Sequence, residues 1–218
     1  MELKDAYKSL DEALTHGGIT NNLKVNLVRI DSEKLKVSQI KDKLKDVSGI
    51  LIPGGFGKRG TEGKIEAIKY AREKKIPFFG ICFGMQMAII EFARNKLNIK
   101  KATSSEFGVG GTPIIGLISE WNKDGKLIKG TDKNLGGTMR LGLYEAKLKE
   151  NSLIKKIYKS KLIKERHRHR YEVNIAFKEK FETKDKFNES IEPTLTGKEV
   201  SIKDKITIIK DGKFTSCK

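Results

Sequence analysis

Cysteine is nearly absent. Cys82 and Cys217 are the only two in 218 residues, far apart and in no CxxC or Cys/His spacing, which excludes a disulfide scaffold and a zinc module. Proline is sparse too, with 4 residues. No apolar run approaches the roughly 18 residues that cross a bilayer as a helix, so a helical integral membrane protein is excluded. The opening Met1-Glu2-Leu3-Lys4-Asp5 is polar, without an apolar signal region, and the expected compartment is the cytoplasm. No G-x-x-x-x-G-K-[ST] run occurs, so the chain carries no phosphate loop of that type.

Positive charge is abundant. Lys+Arg total 45 against 28 Asp+Glu, a net charge of +17. The 37 lysines far outnumber the 8 arginines and alternate with acids, as in Lys41-Asp42-Lys43-Leu44-Lys45-Asp46. A nucleic-acid stripe is denser, richer in arginine and interleaved with aromatics. The pattern is that of a solvated surface. One stretch stands apart: Lys155 to Arg170 has eight basic residues and a single acid, Glu165. Apolar residues make up 37%, enough for the core of one domain.

Periodicity sets the order of elements. A helix is predicted over Ala6–Leu14, stopped by Gly17-Gly18, then a strand over Leu23–Ile30 and a short helix over Val37–Leu44. The compact apolar run Val47–Ile52 reads as a buried strand and breaks into Pro53-Gly54-Gly55-Phe56-Gly57. Thr61–Lys74 reads as a helix with Ile65, Ile68 and Ala71 on one face. A strand follows over Ile76–Ile81, and a helix over Met85–Asn95. Strand and helix in alternation predict an α/β fold, a central and mostly parallel sheet flanked by helices. Later strands are expected over Pro113–Ile118, Leu141–Leu148, Arg170–Phe177 and Ile206–Ile209, with a short helix over Ser152–Tyr158. Lys178–Gly197 is polar and reads as a long loop.

Gly80-Ile81-Cys82-Phe83-Gly84 sits where a predicted strand meets a predicted helix. This is the nucleophile-elbow pattern with Cys in place of Ser. Small flanks are needed because the turn is sharp, and the sulfur then faces a helix N-terminus that favours thiolate. The backbone N–H of Phe83 is placed to hold an oxyanion. Taken alone, the pentapeptide is equally compatible with a cysteine that merely packs. Gly54-Gly55 ends the neighbouring strand, where glycine lets a backbone N–H approach a ligand. Gly55, Gly57 and Gly60 also spell GxGxxG, but no acidic strand end follows at the spacing a dinucleotide site requires.

These segments, with Arg59-Gly60 and Met85-Gln86, resemble the class I (triad) glutamine amidotransferases. Further segments resemble the glutaminase domain of the CTP synthase family: Glu2–Tyr7, His16-Gly17-Gly18, Ile30–Glu33, Ile90–Asn95, Ser104–Phe107, Gly136–Gly142 and Glu165–Asn174. The likeness is nearly continuous from Glu2 to Asn174 and fades beyond it. It implies a flavodoxin-like domain with a nucleophile elbow. It further implies that Cys82 attacks L-glutamine, that Gly55 and Phe83 supply oxyanion-hole N–H groups, and that Phe83, Gly84, Met85, Gln86, Glu106 and Arg170 bind the substrate. The charges suit this: Glu106 the α-ammonium, Arg170 a carboxylate through its planar fork. In the family, the ammonia passes to a synthase domain that uses ATP and Mg to aminate UTP, with GTP as activator. No cofactor is implied for the glutaminase domain itself. The Arg166–Arg170 run, on this resemblance, is glutaminase-site material and not an RNA-binding motif.

Two departures follow from the comparison with the family pattern. The synthase domain is not in the sequence. The Gln-Phe-His-Pro-Glu-Phe segment that closes the family's triad is also missing, and Phe214–Lys218 looks like the stretch just before it. The expectation is a glutaminase domain truncated ahead of its triad His and Glu, and weakly active or inactive alone. His167 and His169 belong to the arginine-rich motif, where a supporting role is expected. The alternatives are a piece of a larger or split enzyme, a non-catalytic glutamine-binding or partner-binding relic, and a basic protein with a drifted function.

Overall fold

Short apolar runs separated by amphipathic helices generate a parallel sheet. The computed structural model describes residues 7–117, 120–123, 126–129, 139–182 and 206–210. The chain passes through α1 (Lys8–Thr20), β1 (Val28–Asp31), α2 (Val37–Leu44), β2 (Gly49–Ile52), α3 (Thr61–Lys74), β3 (Phe78–Gly80) and α4 (Phe83–Asn95). It continues through β4 (Ala102–Ser104), β5 (Thr112–Leu117), β6 (Glu120–Lys123), β7 (Lys126–Lys129), β8 (Arg140–Lys147), α5 (Leu153–Tyr158), β9 (Leu162–His169), β10 (Tyr171–Val173), α6 (Lys178–Glu182) and β11 (Ile206–Lys210). Two compact units result. The first takes the chain as far as Phe92 together with β11, and the second begins at Ala93.

In the first unit four strands lie in the order β1-β11-β2-β3, every neighbouring pair parallel. β2 is buried along its whole length, which is why it is apolar at consecutive positions instead of alternating. α3 buries Ile65, Ala67, Ile68 and Ala71, and each isoleucine contributes about 1.5–3 kcal/mol. Glu62 in its first turn and Arg72 and Lys74 in its last suit the helix dipole, and Lys75 ends it in the left-handed region at φ 54°. α1 closes one part of the core through Tyr7 and Leu10 against Leu51, with Leu14, Leu27, Phe79 and Ile81 packed around them.

Two local expectations are corrected. α1 runs through Gly17-Gly18 to Thr20. Gly18 is there for close approach: a Cβ would lie 2.7 Å from the Leu23 carbonyl oxygen. The Leu23 N–H in turn donates to the Gly18 carbonyl at 2.8 Å. That bond ties residues after the helix back to it, and the strand begins only at Val28.

The second unit holds the sheet β10-β5-β4, with β10 antiparallel and β4 parallel to β5. It also holds the antiparallel pairs β6–β7 and β8–β9, the latter connected through α5. β9 lies inside the basic stretch. Ile163, Glu165, His167 and His169 share its half-buried side, while Lys164, Arg166 and Arg168 are exposed. The strand expected over Arg170–Phe177 is only Tyr171–Val173. Asn174 then starts a 3-10 turn, its side chain accepting the Ala176 N–H at 3.1 Å. The first residues of the expected loop, Lys178–Glu182, are helical. The rest of that loop, Glu2–Ala6, Gly136–Thr138 and Phe214–Lys218 with Cys217 lie outside the described residues. No helix among the described residues is long and apolar enough to cross a membrane.

Candidate active site

β2 and β3 end level with one another, Ile52 paired with Gly80. The Ile81 N–H donates to the Ile52 carbonyl at 2.9 Å. The Pro53–Gly57 loop and the Ile81-Cys82 turn therefore leave adjacent strand ends, about 4.8 Å apart in the hydrogen-bonding direction. Cys82 has φ 51°, a left-handed conformation that costs a non-glycine residue about 1–2 kcal/mol. α4 starts at once: the Gln86 N–H donates to the Cys82 carbonyl at 3.1 Å, and the Gly84 N–H to that of Ile81 at 2.8 Å. The half-buried Cys82 thus sits at the N-terminus of a 13-residue helix, where the dipole favours thiolate.

The flanking glycines have a measurable reason. A Cβ on Gly80 would lie 2.8 Å from the Gly84 carbonyl carbon and the Met85 nitrogen. One on Gly84 would lie 2.0 Å from the Ile52 carbonyl oxygen. The first turn of α4 rests directly on the strands, and no side chain fits between.

The neighbouring residues vary in burial. Phe83 is 1% exposed, and the Lys64 Nζ, from a side chain equally buried, lies 5.6 Å from its ring centroid. Gln86 and Gly84 are buried and Met85 is half-buried. Gly55 is half-buried beside the outward-facing Phe56.

A brace that sequence reasoning does not single out joins α3 to α4. The Arg72 Nε lies 3.1 Å from both Glu91 carboxylate oxygens, and its Nη2 donates to Oε1 at 2.7 Å. The Glu91 side chain is fully buried. The available signal was a lone carboxylate amid Ala88, Ile89, Ile90, Phe92 and Ala93. Breaking a buried pair leaves an uncompensated charge. Glu91→Ala is expected to lower unfolding stability by about 3–5 kcal/mol, read from urea denaturation. A loss below about 1 kcal/mol, the worth of an exposed pair, would show that the brace does not hold α4.

The second unit carries the remaining expected site residues. Glu106 is half-buried in the 3-10 turn Ser105–Phe107, and the buried Ser104 hydroxyl accepts its N–H at 3.2 Å. Arg170 is half-buried at the bend between β9 and β10, with its Nη2 3.7 Å from the Met139 sulfur. Just before it, the Nδ1 atoms of His167 and His169 lie 3.2 Å apart. Burial, and then the charge of Arg140, holds His167 below the usual histidine range. Burial, then His167 and Arg140, pushes His169 down to about 4. The structure therefore gathers Cys82, Gly55, Phe83, Gly84, Met85 and Gln86 in the first unit and carries Glu106 and Arg170 in the second.

The family described as glutamine amidotransferase class-I matches residues 2–198. The chain belongs to that family. The match runs past Asn174, where the recognisable motifs end. Among curated relatives of this amidotransferase domain, CTP synthase of Pelagibacter ubique is 82% identical over 184 residues, covering 84% of this chain and 34% of that protein. CTP synthase of Zymomonas mobilis is 58% identical over 183 residues, covering 83% and 34%. The solved glutaminase domain of Trypanosoma brucei CTPS, with bound acivicin, superposes at a TM-score of 0.71 and 34% identity, covering 83% of this chain and 67% of that one. The class I amidotransferase chain thus corresponds to the glutaminase portion of CTP synthase. It spans about a third of the length of the curated relatives it matches.

Proposed function

We propose that this domain hydrolyses glutamine and delivers ammonia to a synthase partner, in cis or in trans, that aminates UTP to CTP. The observation that supports it most is Cys82, held at φ 51° on a strand-to-helix elbow beside the Pro53–Gly57 loop. In this reading the Cys82 thiolate attacks the side-chain amide carbon of glutamine. The N–H groups of Gly55 and Phe83 hold the negative oxygen of the tetrahedral intermediate. Collapse breaks the C–N bond as the nitrogen takes a proton from a general acid or from solvent and leaves as ammonia, and water then breaks the S–C bond of the glutamyl thioester, giving glutamate and returning the Cys82 thiolate. Glu106 and Arg170 bind the α-ammonium and α-carboxylate. ATP, Mg and UTP belong to the synthase partner, and GTP acts as activator.

Acivicin, the compound bound in the Trypanosoma brucei relative, tests the reading. It should alkylate the chain once, at Cys82, and Cys82→Ser should remove the adduct from the mass spectrum. Labelling elsewhere, or none, would overturn the proposal. Arg170→Ala is expected to weaken apparent acivicin affinity at least about 10-fold, since a hydrogen bond to a charged group contributes about 1.5–3 kcal/mol. Unchanged affinity would remove Arg170 from the site.

A further inference from the structure

The second unit contains a cluster that the proposed chemistry leaves unused. His167 and His169 stand two apart on β9 and so face the same side. Their rings are edge to face, with centroids 5.1 Å apart, an interplanar angle of 88° and facing Nδ1 atoms 3.2 Å apart. Such a contact holds one proton. One imidazole donates and the other must accept, so a doubly protonated pair has no hydrogen bond and sets two cations against each other.

The charges around the pair come from every neighbouring strand. From β8, Tyr144 packs on His167 at 5.5 Å between centroids. The Arg140 guanidinium lies 5.3 Å from the Tyr144 ring centroid, and its buried Nε has no hydrogen-bond partner among the described residues. From β9, Glu165 already accepts the Tyr158 hydroxyl of α5 at 2.8 Å. From β10, Glu172 already pairs with Arg140 at 3.1 Å. Both nearby carboxylates are engaged, and Arg140 opposes added positive charge. Arg140 also spans from β8 to β10, across the bend at Arg170.

We propose that the His167–His169 pair is an acid-sensitive latch that fixes the bend carrying Arg170, closed at neutral pH and opened when both rings are protonated. Its consequence for substrate rests on the glutamine-binding role given above to Arg170. The sign follows from linkage. Both rings are held below the ordinary 6.5, His169 at about 4, so the open form binds more protons. The closed form is complete above about pH 6.5 and is lost as pH falls toward 4.

The test uses the full 218-residue chain, imidazole ¹⁵N resonances and amide exchange between pH 8 and 4. The two rings are expected to titrate together and below 6.5. Amides of β8 and β9 should lose at least about 10-fold of their protection over that window, relative to α3. His169→Asn should abolish that acid step. In parallel, apparent acivicin affinity should fall about 10-fold as pH reaches 4 in the parent and hold steady in the variant. Independent titration of the two rings near 6.5, or an acid step that persists in His169→Asn, would overturn the latch. If the variant does not fold, the parent's resonances and exchange alone decide. A coupled titration with an acid step, in a chain that acivicin never labels, would support the latch and sink the amidotransferase reading instead.

Discussion

Gly84→Ala is expected to leave a chain that no longer folds its elbow and no longer reacts at Cys82. The new methyl would lie 2.0 Å from the Ile52 carbonyl oxygen, 2.8 Å from its carbon and 3.0 Å from its Cγ2. Those atoms belong to the last residue of β2, a strand bonded to β11 on one side and β3 on the other. A backbone held from both sides cannot move aside, so α4 must lift. Overpacking a core with side chains that can adjust costs about 1–3 kcal/mol. Against an immovable carbonyl we expect more than that, out of a total stability of about 5–15 kcal/mol. Gly57→Ala is the control. It carries a left-handed backbone demand that Gly84 does not, φ 81°, but has nothing within 4 Å of its Cβ, and should still cost only about 1–2 kcal/mol. Thermal unfolding with acivicin labelling separates the two. A Gly84→Ala protein that melts within a few degrees of the parent and labels normally would show that the elbow tolerates a methyl.

Glutamine hydrolysis by a polypeptide of these 218 residues alone should run at least about 10³-fold below that of a complete glutaminase unless one of its own histidines serves as the base, because losing a triad member costs that much or more. The thiolate needs a group that passes a proton to departing ammonia, and a helix dipole cannot do this. The sequence offers three histidines, His16, His167 and His169. His16 is exposed on α1. His167 and His169 bond to each other, and with His169 pushed down to about 4 it is a poor base at neutral pH, where catalysis favours a pKa near the working pH. Ammonia release from glutamine, measured with and without an appended Phe-His-Pro-Glu-Phe segment and the structure that follows it in relatives, checks this. Full turnover without the segment would make His167 or His169 the base and remove the argument from their mutual contact.

The helices over Val37–Leu44 and Thr61–Lys74 were legible to the residue, because each buries apolar residues at helical spacing, Ile40 and Leu44 in the first and Ile65, Ile68 and Ala71 in the second. The elbow was legible for a related reason. Glycine on both sides of a cysteine between an apolar run and an amphipathic one has few other uses, and the contacts of Gly80 and Gly84 show which collisions it avoids. β9 was hidden, since alternating arginine and histidine carry no hydrophobic period although the strand alternates in burial. β4 is three residues long and leaves no period at all. The Arg72–Glu91 brace was hidden because it depends on two helices meeting, which neither helix encodes by itself.

The place of β11 in its sheet has a consequence for synthesis. β1 and β2 are neighbours in sequence order yet do not pair. Both bond to β11, which follows the whole second unit along the chain. As the polypeptide leaves the ribosome, β1 and β2, the latter already paired with the β3 strand that leads into the cysteine elbow, each present an open edge until Ile206–Lys210 emerges. Pairing across so long a separation is slow, and open apolar edges recruit other chains in the meantime. The nascent domain is therefore at its most aggregation-prone after its nucleophile has been made and before its sheet can close, and a chaperone that shields strand edges would act in that interval.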